Sequence, residues 1–415
     1  MPNKRIWVIA GILLLVCLIE VPFVFASTTI TVDTTDDEFN TDGDCSLREA
    51  IHAADTDTAV DNCPAGNGND TIILPAGIYT LTVAGASENH GLTGDLDIRT
   101  TDGLTIQGAD VSNTIIDGGG IDRVFHVVSY NDRLTLKKMT IRHGSPPSGE
   151  SAGGILNNGI LVLDHVVVKD SETKSTPSQN PVGGGICNGC GNGTGVLTLV
   201  DTIISGNEST RGGGIFTNHI LTITHSTITA NKAKSGGGLV NYGNVSIINS
   251  TVSNNSVTHS TSNIMHLNNF LTITNSTIDG ISSPPHTFNI YAMSAATMTI
   301  VNTIVTNDPA NYNCSAYTNT VRSLGHNLDN GNTCHFSATG DLTNTNPLLG
   351  PLASNGGATP THALLTGSPA IDAGDNTYCP QTDQRWFSRP FGSACDIGAF
   401  EFSLPKIYLP FVLKN

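Results

Sequence analysis

The stretch that decides the fold is residues 212–229, GGGIFTNHILTITHSTIT. Residues 236–253 read GGGLVNYGNVSIINSTVS and repeat the same order of features 24 residues later. Each copy has a glycine cluster followed by three short runs in which aliphatic residues alternate with Thr, Ser or Asn, and such alternation is typical of half-buried strands. A repeat of about 25 residues with three short strands is typical of one turn of a parallel β-helix.

Self-similarity extends well beyond these two copies. Further glycine clusters with the same aliphatic and Asn positions lie at residues 153–157 and 184–188, and weaker descendants lie at 263–266 and 289–292. Successive second segments are 36, 24, 24, 26 and 27 residues apart. A β-sandwich is the competing all-β interpretation, but it does not explain a unit that recurs at nearly constant length. We therefore predict an all-β protein whose repeats, residues 70–345, form a right-handed single-stranded parallel β-helix.

The repeat also predicts how the core is built. A single turn cannot bury its apolar residues by itself, so successive turns stack about 4.8 Å apart and place like residues on like. Aliphatic residues then fill the interior, and glycines allow tight corners. Stacked Asn side chains are expected to hydrogen-bond along the axis.

Both ends of such a solenoid need covering, because they expose unpaired strand edges. Ser46 and Glu49 match a capping box, in which a Ser side chain caps a helix and a Glu three residues later reaches back. We expect a short amphipathic capping helix to about Asp55, within an N-terminal cap of residues 27–69. The repeats end near residue 345, and the Gly- and Pro-rich residues 346–404 are expected to form a C-terminal cap.

The first 26 residues have the layout of a secretory signal peptide. A positive start at Lys4 and Arg5 precedes an apolar run, and a cleavage signal ends at Ala26. The alternative is a retained membrane anchor, but Glu20 interrupts the run before it reaches the roughly 20 residues of a spanning helix. We therefore expect residues 1–26 to be removed and the mature chain to be exported.

Cysteine usage agrees with export. Disulfides persist in oxidising compartments outside the cytosol, and eight cysteines follow the predicted signal peptide. They form four disulfide candidates that are close in sequence: Cys45 with Cys63, Cys187 with Cys190, Cys314 with Cys334, and Cys379 with Cys395. The second pair also matches a redox motif or half of a zinc site, but no second pair with that spacing and no βα pattern accompanies it.

Composition narrows the class of partner. Charged residues make up 13% of the chain and aromatic residues 6%, whereas there are 44 glycines. The formal net charge of −16 argues against nucleic acids and anionic membrane surfaces, which bind basic patches. We expect an extracellular polysaccharide or the surface of a host or neighbouring cell as the partner, and a monomeric mature chain without a membrane span.

Several motifs resemble those of bacterial surface families. Residues 45–50, CSLREA, are the motif for which the CSLREA domain is named. Residues 368–374, SPAIDAG, and 395–401, CDIGAFE, resemble the choice-of-anchor Q region, and residues 212–218 look like the repeat of polymorphic outer-membrane proteins. The resemblance implies an exported or cell-surface protein with a pectate-lyase-like β-helix and no defined reaction. Residues 405–415 are then either a sorting tail or a final strand.

One column of polar residues is the candidate site for chemistry. Aligning the second and third segments of each repeat places six polar residues in equivalent positions: His165, Asp201, His225, Asn249, Asn275 and Asn302. If the turns stack in register, His165, Asp201 and His225 lie about 5 Å apart on three consecutive turns. Such a file of residues is able to bind a metal ion or to orient a general base. The alternative is a polar corner without chemistry, which the later asparagines favour.

An acidic stretch near the N-terminus is the second candidate. Asp36, Asp37, Asp42 and Asp44 offer oxygen ligands of the kind that calcium prefers, and Gly43 allows a turn among them. The spacing does not match an EF-hand loop, and a solvated acidic loop is the alternative. Ca²⁺ is the one cofactor that the sequence suggests.

For function, the sequence favours a non-catalytic surface protein that takes part in adhesion or glycan binding. The paired carboxylates of glycosidases and the carboxylate-and-base pattern of polysaccharide lyases are not evident in the repeats. The alternative is a secreted polysaccharide lyase or glycoside hydrolase that acts in a groove along the β-helix. Fold alone does not decide between them, because a binding surface and an active site are built from different side chains on the same turns.

Overall fold

The computed structural model describes residues 27–86, 88–191, 194–259, 262–282, 287–316 and 321–403. The predicted signal peptide and residues 405–415 lie outside the described residues. Within those ranges the chain forms a parallel β-helix of about eight turns with one short α-helix, so the predicted fold class is confirmed. Across the same ranges, no helix combines the length and the apolar character needed to cross a bilayer.

The strands form three faces, which we name in chain order. The first face is a nine-stranded parallel sheet. Its strands are Leu96–Ile98, Phe125–Val127, Ile155–Asn157, Ile186–Asn188, Ile215–Thr217, Leu239–Asn241, Ser262–His266, Phe288–Ala292 and Tyr312–Ala316. The second face comprises Thr29–Thr31, Asp70–Leu74, Leu104–Gly108, Arg133–Arg142, Ile160–Lys169, Val196–Val200, Ile220–Thr224, Asn244–Ile248, Asn269–Thr274, Ala296–Val301 and Val321–Ser323.

The third face follows the second after a sharp corner, and the two long strands Arg133–Arg142 and Ile160–Lys169 run round that corner into it. Its other strands are Gly77–Thr80, Thr114–Asp117, Ile203–Ser205, Thr227–Thr229, Thr251–Val257, Thr277–Ser282, Ile304–Thr306, Leu328–Asp329 and Leu342–Thr343. Two further strands, Glu208–Arg211 and Lys232–Ser235, lie beyond it, and Leu349–Ala353 pairs with Thr361–Leu364 as an antiparallel hairpin.

The turns stack in the register that the repeats indicate. Ile215 on the first face pairs with Ile186 on one neighbouring turn and with Leu239 on the other. Leu221 on the second face and Ile228 on the third are stacked in the same way. All five side chains are fully buried, because side chains alternate between the interior and the outside along each strand. One continuous apolar core therefore follows the axis.

Buried asparagines hydrogen-bond along the axis at two places. At the end of the first face, Asn157 Nδ2 donates to Asn188 Oδ1 at 2.7 Å. A second ladder, which the repeats alone did not reveal, follows the third face: Asn207 donates to Asn231, and Asn231 donates to Asn255, each at 2.9 Å. Buried amides need partners, and each turn supplies the partner for its neighbour.

The glycine clusters are explained by two different requirements. Gly212 has a φ of +66°, a left-handed conformation that suits glycine. Gly213 is instead required by close approach, because a Cβ at this position would lie 2.5 Å from the carbonyl oxygen of Lys232 and 2.6 Å from that of Gly237. The backbones of adjacent turns therefore pass too close for any side chain at this corner.

The predicted capping helix spans Leu47–Thr56. Ser46 is its N-cap, and Ser46 and Glu49 form the reciprocal hydrogen bonds of a capping box. The helix buries its apolar side and packs against the strands Asp70–Leu74 and Leu96–Ile98 at the start of the solenoid. The capping-box pattern thus identified both the start of the helix and the side that faces the solenoid.

Arg48 of the CSLREA motif is buried and joins the helix to two loops. Its Nε lies 2.7 Å from Asp37 Oδ1. Its two terminal nitrogens donate to the carbonyl oxygens of Gly91 at 2.7 Å and Gly94 at 2.9 Å. A guanidinium suits this position because it presents several donors in fixed directions.

Residues 346–403 lie along the side of the β-helix, whereas the sequence led us to expect a cap over its end. Gln384 Nε2 donates to Thr227 Oγ1 at 2.9 Å, and Thr251 Oγ1 donates to Gln384 Oε1 at 2.7 Å. Ala399 N donates to Thr277 Oγ1 at 3.1 Å. These three threonines occupy equivalent positions on consecutive turns of the third face. The segment therefore follows the axis, with the outward hydroxyls of the solenoid as its hydrogen-bond partners.

Three of the four predicted disulfides are formed: Cys45–Cys63, Cys187–Cys190 and Cys314–Cys334. The fourth pair differs from the prediction, because Cys379 and Cys395 are thiols. Their sulfurs are nevertheless neighbours, and a hydrogen bond between the two side chains raises the pKa of the Cys379 thiol.

Candidate functional site

The structure brings the six polar residues of the predicted column together at the corner between the second and third faces. All six have a left-handed backbone, with φ between 44° and 54°. Asn, Asp and His tolerate this conformation better than most other residues with a side chain. The corner geometry therefore accounts for the residue types along the column, and any chemistry has to be argued from the contacts of individual members.

His165 is the accessible member of this column, with 45% of its side chain exposed. Its Nδ1 lies 2.7 Å from Asp164 Oδ1, and its Nε2 lies 3.7 Å from Asp201 Oδ2. A carboxylate at one ring nitrogen orients the imidazole and leaves the other nitrogen to exchange a proton. His165 thus has the surroundings of a general base, although its Nε2 is beyond hydrogen-bonding distance of Asp201.

Trp386, from the laterally packed segment, completes the site. Its indole nitrogen donates to both carboxylate oxygens of Asp201, at 2.9 and 3.1 Å. One face of its ring stacks on His225, with a centroid distance of 3.9 Å and an interplanar angle of 8°. The side chain is nevertheless 53% exposed. Trp386 is therefore held from below and at its edge, while much of its surface remains open to solvent.

The electrostatics of the site follow from burial. Burial lowers the pKa of His225 from its usual 6.5, against the opposing attraction of Asp201. Burial likewise raises the pKa of Asp201 above 3.8, although the hydrogen bond from Trp386 lowers it. A neutral His225 beneath the indole and a largely hidden carboxylate at its N–H are both consistent with a rigid support for the ring.

The predicted file of His165, Asp201 and His225 does not converge on one point. The ligand atoms that do converge, within 4.8 Å of one another, belong to Asp164, His165 and Asp201. His225 is instead covered by Trp386. The metal-binding interpretation of the original trio is therefore not supported by the geometry, for the physical reason that an indole ring occupies the space above His225.

The asparagines of the column anchor the lateral segment. Asn249 Nδ2 donates to the carbonyl oxygen of Thr382 at 2.7 Å. Asn302 Nδ2 donates to the carbonyl oxygen of Asp375 at 3.0 Å and to Asn275 Oδ1 at 3.1 Å. These side chains hold the segment that carries Trp386 in place, which is a structural role.

The acidic stretch is divided between two uses. Asp37 is the buried ion-pair partner of Arg48 and also accepts hydrogen bonds from the backbone nitrogens of Thr82 and Val83. It is therefore already coordinated, and it lies outside the carboxylate groups that converge.

The carboxylates that converge within 4.8 Å are those of Glu38, Asp42 and Asp44, without Asp36. Burial, together with the neighbouring Asp42, raises the pKa of both Glu38 and Asp44. Three mutually repelling oxygen ligands are chemically suited to a cation such as Ca²⁺.

A cavity of about 410 Å³ lies between the C-terminal hairpin and the third face. His362 and Asp279 line it, with 3.3 Å between His362 Nε2 and Asp279 Oδ2. Ser253 Oγ lies 2.8 Å from the same Nε2, and His362 Nδ1 lies 2.9 Å from the Gly350 carbonyl oxygen. Burial raises the pKa of Asp279. A paired acid and base in a cavity is a recognised candidate for chemistry.

Sequence reasoning missed Trp386, Asp279 and His362, since none belongs to a column that the repeats define by chemistry. Two signals were present. Trp386 is one of two tryptophans in the chain, and the other, Trp7, lies in the predicted signal peptide. Asp279 is an acid in a register column otherwise occupied by Ser205, Thr229, Ser253 and Thr306.

Comparison with known proteins gives similarity at the level of solved structures alone. No protein-family model and no curated protein matches this chain. The pectate lyase Pel9A is similar with a TM-score of 0.48 and 11% identity, over 92% of this chain and 98% of its own. The family PL6 alginate lyase AlyGC has a TM-score of 0.27 and 11% identity, over 63% of this chain and 48% of its own. These similarities assign no activity to the present chain.

Proposed function

We propose that this protein is an exported, cell-surface or secreted β-helix protein that binds extracellular polysaccharide through a platform centred on Trp386. The carrying observation is the supported but half-exposed indole. Sugar rings have apolar C–H faces that pack on aromatic rings, and binding sites commonly combine such a ring with a few fixed polar groups. Trp386 supplies the ring, and His165 and Asp164 supply polar groups beside it.

Other exposed aromatic residues support a binding surface on the same segment. Tyr378, Phe387 and Phe391 are all exposed. The guanidinium of Arg385 lies 4.3 Å from the centre of the Phe387 ring and also pairs with Asp383 at 2.6 Å. Exposed apolar groups concentrated on one segment are uncommon on a surface without a partner.

Export is supported by independent features. The N-terminal sequence has the layout of a signal peptide, and three disulfides are formed in the described chain. The CSLREA motif and the SPAIDAG and CDIGAFE motifs resemble bacterial surface families. Membership of those families is part of the proposal. So are the absence of a nucleic-acid partner and the monomeric state.

Trp386 makes the binding proposal directly measurable. The mature chain from Ser27 contains Trp386 as its one tryptophan, so its intrinsic fluorescence reports on the platform. We expect migration of the mature chain to be retarded in gels containing at least one plant or bacterial polysaccharide, and that polysaccharide to change the fluorescence. Trp386→Ala is expected to abolish the retardation. Phe270→Ala, which removes an exposed aromatic from the second face, is the matched control.

Two results would contradict this proposal. One is the absence of retardation by a broad panel from protein that circular dichroism shows to be folded. The other is equal retardation of wild type and Trp386→Ala, because the aromatic platform would then have no part in binding.

A second candidate function is a polysaccharide lyase, favoured by the cavity that His362 and Asp279 line. Among the described residues that line it, Asp279 is the one carboxylate, so the two-carboxylate arrangement of glycoside hydrolysis has no support there. A His base with a neighbouring acid suits proton abstraction next to a uronate carboxylate. Incubation with uronate polysaccharides, with and without Ca²⁺, tests this: unsaturated uronide absorbance lost in His362→Ala would establish it, and its absence from the wild type would remove it.

A further inference from the structure

A buried group of metal-ligating side chains lies at the N-terminal end of the first face, away from the Trp386 platform. Asp97 and His126 occupy paired positions on the adjacent strands Leu96–Ile98 and Phe125–Val127. Their strand neighbours point into the core, so these two side chains point outward. Both are nonetheless buried, with side-chain exposures of 0% for Asp97 and 9% for His126.

The covering chain is held in place by the N-terminal helix. Gly91 N donates to Asp97 Oδ2 at 2.9 Å, and the carbonyl oxygens of Gly91 and Gly94 accept from Arg48. Asp95 follows directly, and its side chain is 6% exposed. The loop therefore closes over Asp97 and His126 and brings a second carboxylate to them.

The ligand atoms of these three residues converge. Those of Asp95, Asp97 and His126 all lie within 4.8 Å of one another, and His126 Nδ1 lies 2.9 Å from Asp97 Oδ1. The described part of the chain holds four such convergent groups, and this is the one whose three members are all buried. The Asp95 carboxylate accepts no hydrogen bond from the described residues. Its charged neighbour is Arg123, whose Nε is 3.1 Å from Oδ2 but is not aligned to donate.

Negative charge is in excess around this group. Arg123 faces Asp95 and Asp122, and it also pairs with Glu150 at 2.5 Å. One guanidinium thus serves three carboxylates, and Asp97 adds a fourth. Burial raises the pKa of Asp95 to about 8, with Asp97 and Asp122 contributing in the same direction. Buried carboxylates without enough positive charge gain stability from a proton or from a bound cation.

We propose that Asp95, Asp97 and His126 bind one divalent transition-metal ion, with zinc as the ion that the ligand set favours. One imidazole and two carboxylates provide three protein ligands, and zinc sites are built from such sets with a further ligand from water or substrate. An imidazole ligand distinguishes the set from the all-oxygen sites that calcium and magnesium prefer. Because the ligands come from the covering loop and two strands of the first face, the ion joins the loop to the solenoid.

Asn158 is placed to support the ligand from behind. Its side-chain amide lies 3.2 Å from His126 Nε2, the ring nitrogen that points away from Asp97. Ligating imidazoles usually engage a partner through their second nitrogen, which fixes the orientation of the ring. Asn158 is thus a positioning residue, and Asn158→Ala is expected to weaken the uptake of zinc without removing it.

The test uses the mature chain from Ser27, stripped with EDTA and then incubated with zinc. Metal bound after gel filtration is measured by plasma mass spectrometry, and affinity is measured by titration calorimetry. We expect one zinc per chain, with affinity at least tenfold lower in Asp97→Asn and in His126→Gln. The double variants His165→Ala/His225→Ala and Asp42→Asn/Asp44→Asn serve as matched controls and are expected to keep the full uptake.

A measurement on the wild type keeps the proposal testable even if the variants do not fold. X-ray absorption at the zinc edge is expected to show nitrogen and oxygen ligands with one imidazole. Zinc uptake that is absent from the wild type, unchanged in folded Asp97→Asn, or lost in His165→Ala/His225→Ala would overturn the proposal. An absorption spectrum with sulfur, with no imidazole, or with two or more imidazoles would also overturn it.

Discussion

The indole nitrogen of Trp386 donates to both carboxylate oxygens of Asp201, although 185 residues separate the two in the chain. The contact joins the corner of the solenoid to the segment packed along its side. A hydrogen bond to a carboxylate is stronger than one between neutral groups, and Asp201 is largely buried beneath the ring. The orientation of the exposed aromatic platform thus depends on one corner residue of the repeats.

Removal of the Asp201 carboxylate is therefore expected to loosen Trp386. Asp201→Ala deletes the acceptor and places Ala in a left-handed corner, so we expect a loss of about 2–3 kcal/mol in stability and a red-shifted tryptophan emission. Asp201→Asn suits the corner and keeps one acceptor oxygen, so it is the matched control and should shift the emission less. Identical emission spectra for wild type and Asp201→Ala would show that the contact does not hold the ring.

The pKa of His225 predicts a dependence of stability on pH. Burial lowers this pKa below the value of about 6.5 in the unfolded chain. Between the two values the unfolded state binds more protons, so native stability is lost as the pH falls below 6.5 and towards the folded pKa. We expect the Tm to decrease from pH 7 to pH 5, and to decrease less steeply in His225→Asn.

The control for this pH experiment is His165→Asn, which changes an exposed corner histidine. Parallel Tm profiles for wild type and His225→Asn would contradict the prediction. Asp201 contributes with the opposite sign and at lower pH: burial raises its folded pKa above 3.8. Protonation of Asp201 therefore adds stability as the pH falls through that folded pKa.

Calcium is expected to act at Glu38, Asp42 and Asp44. An ion that binds the native state alone raises stability by mass action, so EDTA should lower the Tm of the mature chain and added Ca²⁺ should restore it. Asp42→Asn/Asp44→Asn is expected to remove the response to calcium, while His126→Gln should keep it. A melting curve that is unchanged by EDTA and by Ca²⁺ would rule out the site.

Arg48 is expected to be the most sensitive residue of the CSLREA motif. Arg48→Ala leaves Asp37 buried without its ion-pair partner and frees two loop carbonyls, and breaking such a pair typically costs about 3–5 kcal/mol. Arg48→Lys keeps the charge without the fork of donors and should lose less stability. Thermal and urea unfolding measure both. Arg133→Ala, on an exposed strand position, controls for the loss of a positive charge, and an equal effect of both alanine variants would refute the assignment.

Much of the fold was predictable because each turn repeats the same physical problem. Alternating side chains, a glycine where backbones pass closely and a left-handed corner occupied by His, Asp or Asn all recur at a fixed interval, so the register follows from aligning the copies. The capping box at Ser46 was predictable for a similar reason: its hydrogen bonds join residues only three positions apart.

The candidate site was predictable only in part. Alignment of the repeats placed His165, Asp201 and His225 in one column, but it did not show that Trp386 covers His225. It also placed Asp37 among the calcium ligands, whereas Arg48 neutralises that carboxylate. Both differences come from segments without a repeat, for which no neighbouring copy indicates where the chain lies.

The sequence by itself therefore determined the solenoid, its register, its capping helix and the residue types at its corners, because these depend on contacts between equivalent positions of adjacent turns. The tertiary structure decided where residues 346–403 pack and which side chains meet across the chain: Trp386 with Asp201, His362 with Asp279, and Asp97 with His126 beneath the loop that Arg48 holds. Such contacts join positions that share no periodic relationship, so their geometry depends on the packing of the whole molecule.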